Sequence, residues 1–107
     1  MVDDIVSALW SKLNTTPDLT EAIVSMEVKN AISDLKMKRN YIVTSMSDED
    51  IEKDMENYRS VIYRVAEYRL AKFGAEGEQS HSENGISRYY QDEDSLWKGV
   101  HAYVKVL

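Results

Sequence analysis

The sequence predicts an all-α protein: a small bundle of about four helices, two of them long and central, with a short β-ribbon or extended loop between the last two. Three observations carry this. Apolar residues recur at three- and four-residue steps over most of the chain. Helix start signals precede these stretches, and three of the four glycines fall in one polar stretch, residues 74 to 85. A chain of 107 residues supports one domain, residues 1 to 107, because halves of that size would bury too little apolar surface to offset chain entropy.

The elements follow in order. Ile5, Val6, Leu9, Trp10 and Leu13 lie along one side of a first helix over residues 3 to 13, with Asp3 and Asp4 near its positive end. Thr15-Thr16-Pro17-Asp18 reads as the start of a second helix, since proline suits the first turn; it should run from about residue 17 to 38. Its apolar residues form two stripes, Leu19, Ile23 and Met26 on one and Val24, Val28, Ala31 and Leu35 on the other, which is wider than one packed face needs. That width predicts burial on two sides.

Asn40 to Met46 reads as a break. Ser47 with Asp50 has the form of a capping box, with the shorter Asp in place of Glu or Gln. A third helix then carries Ile51, Met55, Tyr58, Ile62 and Val65, and continues one position over with Ala66, Leu70 and Phe73. Its acids lie early and its bases late, as the helix dipole favours, and Gly74 would end it as a left-handed cap. A helix from 47 to 73 would be about 40 Å long, more than a domain of this size covers alone. Part of it is therefore expected to meet a neighbouring subunit, with Val24, Val28, Tyr58 and Ile62 as the inter-subunit helix faces.

Asn84-Gly85 is a tight-turn dipeptide, and Ile86 to Tyr90 has strand composition, so a ribbon is expected there. Asp92 or Asp94 can cap a last helix carrying Leu96, Trp97, Val100, Tyr103 and Val104, tied into the core.

Composition excludes more function classes than it suggests. The net charge of −6, from 13 basic and 19 acidic residues, disfavours a phosphate-gripping nucleic-acid binder and an anionic membrane surface. The absence of cysteine removes disulfides, thiol nucleophiles and thiolate metal sites, and fits a reducing compartment. The acidic amino terminus lacks a signal-peptide pattern, so a soluble protein that is not secreted is expected. Glu76 to Glu83, with His81, crowds ligand-type side chains, but the spacing matches no metal motif and reads as a solvated loop. His101 has no identifiable nucleophile to serve, and Glu76 with Glu78 has no room for a substrate cleft. Gly74-Ala75-Glu76-Gly77 lacks the lysine of a phosphate loop. No catalytic, cofactor-binding or metal residue is expected, and the protein is read as no enzyme. Trp10, Trp97 and the seven tyrosines can be core residues or interface anchors.

The stretch Leu70-Ala71-Lys72-Phe73-Gly74-Ala75-Glu76-Gly77-Glu78, followed by His81-Ser82-Glu83-Asn84-Gly85-Ile86-Ser87-Arg88-Tyr89-Tyr90, resembles the head-tail connector family of tailed bacteriophages and prophages of Gram-positive bacteria. The likeness is strongest over residues 58 to 107; residues 1 to 46 match only as helices of suitable length. The resemblance implies a structural subunit without cofactors that forms a ring of about twelve copies beneath the portal protein after DNA packaging. The ring would link portal to a tail-proximal stopper protein and extend the DNA channel without binding DNA specifically. It also implies a place at the head-tail interface of the virion, and in the host cytoplasm during assembly. The docking segment for portal or partner would then hold Gly74, Glu76, Gly77, His81, Asn84, Gly85, Ile86, Arg88, Tyr89 and Tyr90. The alternative is a small helical phage regulator that acts by binding one protein. A helix-turn-helix DNA binder is less well matched, because Glu21, Glu27 and Asp34 dilute the charge of a recognition helix over 18 to 39.

Overall fold

The acidic start and one-sided apolar spacing of the first segment produce α1 (Val2–Leu13), whose Ile5, Val6 and Leu9 are buried. The computed structural model describes residues 1–43, 45–75 and 93–102. Within them follow α2 (Glu21–Arg39), a 3-10 turn (Tyr41–Val43), α3 (Asp48–Glu56), α4 (Arg59–Ala75) and the single turn α5 (Glu93–Leu96). The fold is all-α, a helical bundle, and the described residues contain no strand. The ribbon expected at residues 84 to 90 lies outside the described residues.

Helix α2 starts later than the Pro17 signal predicts. Thr20 is the cap: its backbone is extended and its Oγ1 accepts a hydrogen bond from the Ile23 N–H at 3.2 Å. Residues 14 to 20 are instead turns, with Thr16 donating to the Leu13 carbonyl and accepting from Leu19. Asp18 takes a left-handed conformation, φ 64°, which aspartate tolerates better than most residues. Pro17-Asp18 therefore reverses the chain and delivers Leu19 to the core. At its other end α2 stops as expected at Asn40, left-handed at φ 58°, whose N–H reaches the Lys36 and Met37 carbonyls.

The third predicted helix is two. Ser47 caps α3, its Oγ accepting from the Asp50 N–H at 3.2 Å. The helix then breaks at Asn57 and Tyr58, whose N–H groups make tightened bonds to the Asp54 and Met55 carbonyls. No glycine or proline marks this break, and the apolar rhythm runs straight across it. Beyond it, α4 passes through Gly74 to Ala75, so Gly74 is part of the helix rather than its cap. Its 17 residues span about 26 Å, so the 40 Å helix expected from the rhythm is not formed.

Helix α2 lies against both α1 and α4. Leu9, Val24, Val28, Leu35, Ile62 and Val65 meet there with no solvent exposure. Each such side chain stabilises the fold by roughly 1.5–3 kcal/mol relative to an exposed one. Of the two apolar stripes on α2, that from Val24 to Leu35 is buried; along the other, Leu19 is buried, Ile23 half-buried and Met26 exposed. Helix α2 is thus packed against two helices, as the width of its apolar surface predicts, with Met26 at the end of the second stripe left exposed.

The last helix is shorter than predicted. α5 has four residues, and turns carry the chain on through Gly99. Trp97 and Val100 are nonetheless buried, as a tied-in carboxyl-terminal segment requires. Tyr103 and Val104 lie outside the described residues.

Candidate functional site

Two arginines tie the segment that follows residue 92 to the rest of the bundle, Arg69 at Glu93 and Arg39 at the His101 carbonyl. Arg39 closes α2 and is buried. Its Nε and Nη2 donate to the two carboxylate oxygens of Asp54 in α3, at 2.8 and 2.9 Å. Its Nη1 donates to the His101 carbonyl at 2.8 Å, and its guanidinium carbon lies 4.9 Å from the Tyr58 ring centre. The Tyr41 hydroxyl also donates to Asp54. One guanidinium therefore joins α2, α3, the start of α4 and the segment after α5.

The electrostatics follow from this packing. Burial works against the Arg39 cation, but the bonds to Asp54 and Tyr41 outweigh it and its pKa is raised. Burial, with the hydrogen bond to Asp54, pushes the Tyr41 hydroxyl up to about 12.

Arg69, on α4, makes the second clamp. It grips Glu93 of α5 with two parallel bonds, Nε to Oε1 at 2.9 Å and Nη2 to Oε2 at 3.0 Å. Nη2 also reaches Asp34 of α2 at 2.6 Å. The bonds to Glu93 raise the Arg69 pKa, and the same bonds hold the Glu93 carboxyl below the ordinary glutamate range. The two described ends of the candidate docking segment are thus tied together across 24 positions of sequence.

The predicted site residues fare differently. Gly74 lies in the last turn of α4; Glu76, Gly77, His81, Asn84, Gly85, Ile86, Arg88, Tyr89 and Tyr90 lie outside the described residues. Three of the four inter-subunit positions require correction. Val24, Val28 and Ile62 are fully buried in the chain's own core, and Tyr58 is half-buried beneath Arg39. The Val24, Val28 and Ile62 side chains are committed to intrachain packing, whereas Tyr58 keeps part of its surface. His101 is exposed, and what the fold uses is its backbone carbonyl.

Sequence reading missed both clamps, although a signal existed. Arg39 falls four residues after Leu35, and Arg69 four after Val65, so each continues a buried stripe where an apolar residue is expected. A base in that register needs a carboxylate partner, which the sequence alone does not name.

Chemically, these groups hold and position. The Asp54 and Glu93 carboxylates are taken up by arginine, and among the described residues no three His, Asp or Glu side chains are placed to hold a metal ion. None of the described helices is long and apolar enough to cross a membrane. Compared with known proteins, the chain matches no family model, no curated protein and no solved structure.

Proposed function

We propose that this protein is a structural head-tail connector, a subunit that assembles as a ring between a phage portal and the tail-proximal stopper protein and extends the channel for DNA. The observation that carries the reading is the sequence from Leu70 to Tyr90, with its Gly-Ala-Glu-Gly and His-Ser-Glu-Asn-Gly-Ile runs, which resembles that family. The all-α bundle is in keeping with it. So is the Arg69 bridge, which would present the intervening segment from a fixed base. Residues 74 to 90 then serve as the docking segment, with no catalysis and no cofactor. The net charge of −6 suits a channel wall that repels passing DNA instead of gripping it.

The test is mass. Light scattering of the protein alone and with a matching portal protein, followed by imaging, should give a ring, free or seated on the portal. A lone monomer that never binds portal would sink the reading and favour a regulator of a single protein.

A further inference from the structure

Helix α3 is weakly supported by the rest of the chain. It lies closely along no other helix, and of its nine residues only Met55 is buried. Between α3 and the pair α1 and α2 the structure keeps an open cleft of about 410 Å³, within the range of sites that take up a ligand. Its floor is apolar, formed by Val2 of α1, Ile32 of α2 and Met55. A helix that buries one side chain beside an unfilled apolar cleft lacks a packing partner.

The two walls of the cleft carry opposite charges that do not meet. On the α3 side stand Glu49, Glu52 and Glu56, at steps of three and four residues, so they share one side of that helix. On the α2 side stands Lys36, with Lys29 one heptad before it along the same side. All five are exposed. Neither lysine is paired with a carboxylate among the described residues, and Glu52 has no cationic partner there. Glu49 and Glu56 reach only near neighbours in sequence, Lys53 and Arg59, each at 4.0 Å. Lys53 also lines the cleft, but three glutamates against one lysine leave the α3 wall negative.

We propose that the cleft between α3 and the pair α1 and α2 is a docking site for an amphipathic helix of another protein, whose apolar ridge is bordered by Lys or Arg on one flank and by Asp or Glu on the other. The ridge covers Val2, Ile32 and Met55 and gives α3 the packing that the chain does not supply. The basic flank lies against Glu49, Glu52 and Glu56, and the acidic flank against Lys36 and Lys29. Charges beside an apolar seam set partner and orientation in paired helices in the same way. Because the walls differ in sign, the order of the flanks fixes the direction in which the partner lies. Helix α3 is about 13 Å long, so the contact takes about two helical turns of the partner. A negative wall repels phosphates, which argues against nucleic acid as the occupant. The cleft is separate from residues 74 to 90, and the inference stands for a connector and for a regulator alike.

The test uses the full chain and labelled peptides of about 18 residues, five helical turns, with leucines at helical spacing. One set carries lysines on one flank and glutamates on the other, a second glutamates on both, a third lysines on both. Fluorescence anisotropy at physiological ionic strength, where long-range attraction to the acidic chain is screened, should show the mixed set binding about tenfold tighter than either uniform set. Amide chemical shifts should move at Ile32, at Lys36 and along α3. Lys36→Glu makes both walls acidic and should shift the preference to the lysine set without moving the melting temperature, because the side chain is exposed. Failure of the mixed set to bind, equal binding of all three sets, or an unchanged preference in Lys36→Glu overturns the proposal. Self-association in light scattering that Lys36→Glu abolishes, without peptide binding, assigns the cleft to a second copy and overturns it as well.

Discussion

Between α1, α2 and α4 the buried contacts are apolar, built from side chains such as Leu9, Leu35 and Ile62 that are parts of one packed volume, and the ion pairs of Lys12 with Glu67, Arg59 with Asp4 and Arg69 with Asp34 lie at its margin. Where α3 and the carboxyl-terminal segment join the bundle, directed bonds add to the burial of Met55, Trp97 and Val100. Arg39 holds Asp54 and the His101 carbonyl, and Arg69 holds Asp34 and Glu93, while α3 itself buries only Met55. The difference matters because apolar packing falls off gradually with misfit, whereas a buried guanidinium tolerates one geometry and is costly without it. The apolar seam makes the protein fold; the clamps decide where its last segment lies.

Removing one partner of the tighter clamp should break this division most sharply. Asp54→Ala leaves Arg39 buried without its carboxylate and should cost about 3–5 kcal/mol in urea denaturation. The double change Arg39→Met/Asp54→Leu should recover most of that loss while freeing the carboxyl-terminal segment, which limited proteolysis would detect. A single change costing under about 1 kcal/mol would mean that Arg39 simply returns to water. Next in size, Leu35→Ala should cost about 2–5 kcal/mol through lost transfer energy and a residual cavity, with the position of the last segment unchanged.

The smallest effect belongs to the exposed side of the second clamp. The Glu93 pKa is lowered from its ordinary 4.5, so its stabilising contribution is complete above that pH and is lost as pH falls through the folded value. Acidification below about pH 4.5 should loosen α5, read as a change in Trp97 fluorescence in a Trp10→Phe background. Glu93→Gln should flatten that acid transition. If the transition persists unchanged, the bridge to Arg69 does not hold the segment.

These two kinds of contact also separate what was legible in the sequence from what was not. The apolar rhythm locates α1, α2 and the pair α3 and α4, because burial on one face imposes a local period. The break at Asn57 and Tyr58 left no trace, since the rhythm of Ile51, Met55, Tyr58 and Ile62 is the same on a bent path as on a straight one. Thr20 was passed over as a cap because Thr15-Thr16-Pro17 gave the stronger local pattern, and only the need to reverse the chain and bury Leu19 decides between them. The clamps were hidden for another reason: Arg39 and the His101 carbonyl are 62 positions apart, and no local pattern relates them.

The bridge from Arg69 to Glu93 settles an entropic question for the stretch it closes. Arg69 and Glu93 are brought together at folding, so the sequence between them is anchored at both ends and the cost of closure is met by the bundle. Closure cost grows slowly with length, by about 0.6 kcal/mol per doubling. Lengthening or shortening the sequence between Arg69 and Glu93 should therefore change stability little, so that one mount can carry segments of different length and chemistry.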